Sequence, residues 1–129
     1  MTEIVRPKSP TPAVTDRGTS VALLFALVAE RLSAFYEYGQ WLTDAQSATL
    51  AAGWLARSGR AMPLEQRRQL AALSDGMARQ MASTLSREAG LFAAHEMMES
   101  LDPNYHSELA NTLMQTCAGL IDGTAAVNG

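Results

Sequence analysis

The most apolar part of the chain is a segment with no polar side. From Val21 to Val28 the residues are almost all apolar, and helical spacing places them on every face of a helix. A hydroxyl from Thr19 or Ser20 can cap the start of this helix, and Gly39 is suited to its end. Because a helix without a polar face must bury more than one side, we predict that it lies at the centre of the core.

Capping signals predict two further helices. The segment Thr43–Gln46 has the capping-box pattern and opens a helix that we expect to end at Gly59. Pro63 is suited to the first position of the next helix, and apolar residues keep helical spacing well beyond it without another proline. We therefore predict one long helix over about 63–101, with a break at Ser74–Gly76 as the alternative.

The end of the long helix and the start of the last one are predicted at Asp102 and Pro103, as N-cap and first helical residue. Apolar residues then recur about every four positions up to Leu120, and Gly123 is the expected end. No stretch alternates apolar and polar residues for long enough to form a strand. The sequence predicts an all-α fold, with about four helices in a small bundle that has one long central helix.

Both ends of the chain differ from the helical part. Residues 1–18 contain three prolines among serine, threonine and charged residues, which predicts a disordered N-terminal arm. Residues 124–129 follow the last predicted helix and are expected to fray. The predicted organisation is a single helical domain over 19–123.

Composition limits the class of protein. The 129 residues are 47% hydrophobic and 18% charged, with a net charge of −3, which fits one soluble domain without the basic excess of a nucleic-acid-binding protein. The longest apolar run, Val21–Ala29, is shorter than the roughly 20 residues of a membrane span. Glu30 and Arg31 follow it, where a signal peptide would have small residues. We therefore predict a cytoplasmic protein without membrane contact.

Residues suited to catalysis or metal binding are few. Cys117 is the only cysteine and lies on an apolar stripe, which predicts a buried, unreactive thiol in a reducing compartment. The segment His95–Glu99 matches the zinc motif H-E-x-x-H except at its last position, and too few other ligands accompany it. The sequence has no glycine-rich phosphate loop and no nucleophile elbow. We expect no enzyme activity, metal, cofactor or small-molecule substrate.

Charge is unevenly distributed along the chain. Residues 57–87 contain six arginines and two acidic residues, whereas residues 88–129 contain six acidic residues and no lysine or arginine. Complementary charges of this kind bias register and partner choice more than they add affinity. Two copies can match these segments in an antiparallel arrangement, or the last helix can fold back on the middle of its own chain; the sequence leaves both open.

One part of the chain has the order of a helix-turn-helix. A helix over about 44–57, a turn with Gly59 and a helix that starts at Pro63 follow one another. The turn is longer than the usual three or four residues, and the rest of the chain is acidic, so DNA binding is the alternative function and nucleic acid is not the expected partner. The candidate contacts to DNA are Gln66, Arg67 and Arg68.

The favoured prediction is a protein that acts through contacts with other proteins. One side of the first helix can pack in the core of so small a unit, and the other would leave an apolar patch that a homodimer buries. Aromatic residues near the junction of the first two helices are typical interface anchors. The predicted interface residues are Leu24, Phe25, Val28, Phe35, Tyr36 and Trp41.

The predicted function is that of a small helical regulatory or adaptor protein, for example an inhibitor (antiactivator) of a transcription regulator or a secretion-type chaperone. Its predicted partners are a second copy and a larger protein.

Overall fold

Five helices form the part of the chain that the structure describes. The computed structural model describes residues 16–128, and side chains from residue 16 to residue 124. No strand occurs within that range, so the predicted all-α fold is confirmed, with five helices in place of about four. Residues 1–15 of the predicted arm and Gly129 lie outside the described residues. The helices are α1 (Arg17–Tyr38), α2 (Asp44–Ser58), α3 (Leu64–Thr84), α4 (Arg87–Glu99) and α5 (Glu108–Asn128).

Helix α1 is the centre of the bundle. The other four helices all pack against it, and Leu24, Phe25 and Val28 are at most 1% exposed. The prediction that one side of this helix stays exposed is wrong, because more helices surround it than the sequence predicted. By length and composition α1 would suffice to cross a membrane, but 67% of its most apolar stretch is buried inside the bundle. That burial is typical of the core helix of a soluble protein.

The predicted single helix over 63–101 is wrong, because the chain breaks between α3 and α4. Leu85 adopts an extended conformation, with φ −98° and ψ 133°. The Ser86 hydroxyl then caps α4 by accepting a hydrogen bond from the Ala89 amide at 3.2 Å. The alternative break at Ser74–Gly76 is also wrong, since α3 runs through it without interruption.

The break allows α4 to fold back along α1. The Tyr36 hydroxyl of α1 donates a hydrogen bond to the Leu85 carbonyl at 3.1 Å, which holds the break against the end of α1. Gly90 of α4 then lies directly against the Tyr36 ring, which occupies the space where a Cβ atom on residue 90 would lie. Glycine is therefore required here for close packing of the two helices.

The start of α1 lies earlier than predicted. Asp16, rather than Thr19 or Ser20, is the N-cap, and its carboxylate accepts a hydrogen bond from the Thr19 amide at 3.2 Å. Arg17 makes two hydrogen bonds to the Asp122 carboxylate of α5, at 2.7 and 2.9 Å. The first turn of α1 is thereby fastened to α5.

The last helix does not begin at Asp102–Pro103. The Asp102 carboxylate accepts a hydrogen bond from the Asn104 amide at 2.9 Å and so forms a local turn. Ser107 instead lies at the start of α5, where its hydroxyl accepts a hydrogen bond from the Ala110 amide at 3.1 Å.

Helix α5 is also longer than predicted. It continues past Gly123 to Asn128, so the predicted frayed tail over 124–129 is wrong for the backbone up to residue 128. A glycine inside a helix costs only about 1 kcal/mol relative to alanine, which helical neighbours on both sides can offset.

A buried arginine joins α1 to α2 and α3. Arg31 is fully buried, although it lies in the central, largely apolar helix of the bundle. Its guanidinium has five partners: Ser74 Oγ (2.8 Å), the carbonyls of Leu42 (2.9 Å) and Ala71 (3.2 Å), and the carboxylates of Asp75 (3.1 Å) and Asp44 (3.2 Å). These contacts set the positions of α2 and α3 on α1.

The predicted burial of the Cys117 thiol is confirmed. The side chain is fully buried, and its Sγ atom lies 3.7 Å from the Met77 thioether. Burial raises the pKa of Cys117 to about 12, because the apolar surroundings disfavour the thiolate. The thiol is therefore neutral at physiological pH and is a poor nucleophile.

A second polar contact links α4 to the loop before α5. The Tyr105 hydroxyl donates a hydrogen bond to Glu96 Oε2 at 2.7 Å. This bond, with a further one from Ser107, lowers the pKa of Glu96 below its ordinary value of 4.5. A lowered carboxyl pKa stabilises the fold above the ordinary value, and the contribution is lost as the pH falls through the folded-state pKa.

We expect the Tyr105→Phe variant to show this pH dependence. At pH 7 it should unfold more easily than the wild type, since it lacks the main donor to the Glu96 carboxylate. The difference should shrink as the pH falls from the ordinary value of 4.5 through the lowered pKa of Glu96 in the wild type, because the carboxyl group then becomes protonated in both proteins. Urea unfolding at pH 7 and pH 3 measures the difference in stability between the variant and the wild type. Tyr38→Phe is the control, because Tyr38 is 77% exposed. A difference that stays constant over this range would contradict the assignment.

Candidate protein-binding groove

An open apolar groove lies between α3 and α5. Helix α1 packs against both of these helices, whereas α3 and α5 approach each other closely at few points, among them Met77 and Cys117. The space between them has a volume of about 390 Å³. Its lining residues are Ala72, Leu73, Gly76, Met77, Gln80 and Met81 of α3 and Leu113, Thr116 and Leu120 of α5.

Small and flexible side chains form the α3 wall of this groove. Ala72 and Gly76 lie one helical turn apart, and a Cβ atom on Gly76 would meet no other atom within 4 Å. Met77 directly follows Gly76, and Met81 lies one turn further along the helix; the unbranched thioethers of both adapt to surfaces of different shape. The wall therefore permits close approach of another chain.

A second depression continues the groove toward the start of α1. It has a volume of about 180 Å³, shares Leu73 with the main groove, and is also lined by Ser20, Ile121 and Thr124. From Gln66 to Met81 the residue numbers on α3 increase along the trough, while those of the facing α5 residues decrease from Thr124 to Leu113. The two helices are therefore antiparallel. Together the two depressions follow α3 for about 22 Å at 1.5 Å per residue. We call these two adjacent depressions together the α3–α5 trough.

The lining of the trough carries no charge among the residues that the structure describes. Polar groups come from amides and hydroxyls, among them Gln69, Gln80 and Thr116. Small-molecule sites usually add a few convergent polar or charged groups to an apolar pocket. The trough instead provides an apolar surface between two helices, with hydrogen-bonding groups spaced along both of its sides.

The structure separates the six predicted interface residues into two groups. Leu24, Phe25 and Val28 are core residues and do not reach the surface of the monomer. The other three lie together at the opposite end of α1. Tyr36 is buried there, while Phe35 and Trp41 are half-buried and stack at 4.2 Å with ring planes 13° apart. The predicted aromatic cluster therefore exists.

A cation covers part of this aromatic cluster. The Arg79 guanidinium lies 4.7 Å from the centre of the Trp41 ring. It also makes two hydrogen bonds to the Asp75 carboxylate, at 3.0 and 3.1 Å. Asp75 in turn pairs with the buried Arg31, so the outer face of the Trp41 ring is tied to the polar network of the core.

The three candidate DNA contacts do not form one basic surface. The Gln66 amide donates a hydrogen bond to Ser20 Oγ at 3.3 Å, and Arg67 is half-buried. Arg68 is exposed, but it lies beside the acidic Asp44 at a separate depression. These placements leave little positive surface for a phosphate backbone.

The residues of the incomplete zinc motif stay apart from other ligands. His95 and Glu99 are both exposed on α4. Among the described residues, no group of three or more His, Cys, Asp or Glu side chains is placed to hold a metal ion.

Sequence reasoning missed the trough, although part of its pattern was visible. The apolar stripe that includes Leu113 and Leu120 predicted one buried face of the last helix. Nothing in the stripe indicated that α3 would leave that face partly uncovered. No known protein family, curated protein or solved structure matches this chain. The groove itself is thus the basis for a functional proposal.

Proposed function

We propose that this protein is a small regulatory or adaptor protein that binds an amphipathic helix of a larger protein in the α3–α5 trough. The observation that carries the proposal is the open apolar groove of about 390 Å³ between two antiparallel helices. Grooves between helices are a common docking site for the apolar face of a partner helix. The proposed location is the cytoplasm, where the neutral Cys117 thiol remains reduced.

The dimensions favour a helix over a small ligand. A length of about 22 Å corresponds to four turns of helix, enough for apolar anchors at positions i, i+4, i+7 and i+11. Ala72 and Gly76 allow the backbone of such a helix to approach α3 closely. Met77 and Met81 can adjust to the side chains it presents.

Two glycines provide a matched test of this proposal. Gly76 lines the groove, whereas Gly119 of α5 does not, and both are exposed helical positions with open space around them. Leucine at position 76 should fill the groove without strain in the protein itself. The same change at position 119 should leave the groove open.

The experiment selects binders from a displayed library of 20-residue helical peptides and measures their affinity by calorimetry. We expect selected peptides with apolar residues on one helical face. Gly76→Leu should weaken their binding by at least about tenfold, or 1.4 kcal/mol, while Gly119→Leu should leave it unchanged. Circular dichroism and melting curves confirm that both variants are folded. A library without binders, or equal binding by the two variants, would contradict the proposal.

The homodimer stays a prediction, but its interface must lie elsewhere than on Leu24, Phe25 and Val28. Leu24, Phe25 and Val28 are buried in the monomer, so they cannot form a contact between two copies. Any dimer would need another apolar surface, such as the trough. Size exclusion with light scattering during the same experiment distinguishes a mass of 13.8 kDa from twice that value.

A further inference from the structure

We propose that the N-terminal segment of this chain, residues 1–15, binds along the α3–α5 trough and competes there with a partner helix. The inference rests on the proposed function, because it names an intramolecular competitor for the same groove.

The segment joins the bundle near one end of the trough. Asp16 caps α1, and Arg17 is held to Asp122 of α5 by hydrogen bonds of 2.7 and 2.9 Å. One turn later, Ser20 lines the smaller depression together with Ile121. Residue 15 is therefore attached within a few residues of the trough wall.

The reach of the segment exceeds the length of the trough. Fifteen residues can extend over about 50 Å, whereas the trough is about 22 Å long. Contact within one chain is thus possible without any rearrangement of the helices. A short tether also gives an effective concentration in the millimolar range, so even weak contacts compete with a dilute partner.

The composition of the segment fits the lining of the trough. Its apolar residues Ile4, Val5 and Val14 are spaced by three prolines, which favour an extended chain over a helix. An extended chain presents backbone amide and carbonyl groups on its sides. Gln69, Gln80 and Thr116 provide amides and a hydroxyl along the trough for such groups. Ile4 and Val5 supply the apolar side chains for the main groove.

Selective labelling makes the contact measurable in the full chain. Cys117 is fully buried with a pKa of about 12, so a Thr2→Cys substitution adds one reactive thiol for a nitroxide spin label. Methionine methyl groups enriched in ¹³C report the distance to the label by NMR. We expect broadening of the Met77 and Met81 signals in the groove, and much less at Met98 of α4.

Substitutions in the segment test which residues make the contact. Ile4→Asp combined with Val5→Asp should remove the broadening, whereas Ser9→Asp combined with Thr11→Asp, with the same change in charge, should not. The first pair should also bind a library-selected helical peptide about two- to tenfold more tightly, because the competitor is gone. Met77 and Met81 signals no broader than that of Met98 would overturn the inference.

Three further outcomes distinguish the inference from other arrangements. Broadening that persists when label and ¹³C are on different chains would assign the contact to a second copy and overturn the intramolecular claim. Peptide binding that is lost in Gly76→Leu, without any broadening at Met77, would leave the proposed function intact and reject only the role of residues 1–15. Equal peptide binding by Gly76→Leu and Gly119→Leu would reject the proposed function itself.

Discussion

Replacement of Arg31 by methionine is expected to lower the free energy of unfolding by about 3 kcal/mol, because each buried acceptor that loses its hydrogen-bond partner costs about 1–3 kcal/mol. Methionine keeps much of the volume but none of the five hydrogen bonds. The Leu42 and Ala71 carbonyls and the Ser74 hydroxyl would lose a charged donor inside the bundle. Urea unfolding followed by circular dichroism measures the loss.

Asp44→Asn is the control for this prediction. The Asp44 side chain is 81% exposed, so its pair with Arg31 should contribute less than about 1 kcal/mol. A loss at Arg31 no larger than the loss at Asp44 would mean that water replaces the buried hydrogen bonds. In that case the network would not determine how α2 and α3 sit on α1.

The Gly90→Ala variant is expected to lose at least about 2 kcal/mol, because the new methyl group would overlap a ring in a packed core. Tyr36 cannot easily move aside. Its hydroxyl is bonded to the Leu85 carbonyl, and its ring packs edge-to-face on Phe35 at 5.0 Å. Thermal and urea unfolding give the change in stability.

Gly76→Ala makes the same chemical change as Gly90→Ala, but we expect it to raise stability instead of lowering it. Because the space beside Gly76 is open, alanine there should increase stability by about 0.5–1 kcal/mol through helix propensity. Equal effects at positions 76 and 90 would show that the Tyr36 ring gives way, and that α4 packs less tightly on α1 than the structure indicates.

Local signals in the sequence predicted local structure well. Both hydrogen bonds of the capping box at Thr43–Gln46 are present, at 2.9 and 3.1 Å. Gly39 and Gly59 end their helices in the left-handed conformation, with φ of 72° and 70°. Each of these features depends only on residues within one helical turn, which is why the sequence is sufficient to predict them.

Features that depend on distant residues were not predictable in this way. The break at Leu85 has no glycine or proline, and it is held by Tyr36, a residue 49 positions away. The extra helix that this break creates, α4, packs against α1 and adds to its burial. The trough depends on the separation of α3 and α5, which no periodicity within either helix determines.

The central position of α1 also has a consequence while the chain is being synthesised. Helix α1 leaves the ribosome before the other four helices, whereas α4 and α5, two of the helices that cover it, follow well after it. Its contacts span long stretches of sequence, up to 105 residues between Arg17 and Asp122. Until those helices emerge, the nascent chain exposes a 22-residue segment that is apolar enough to cross a membrane. Glu30 and Arg31 interrupt this segment near its middle, and a charged pair at that depth is costly in lipid. The same arginine that later orders the core thus disfavours premature insertion into a bilayer.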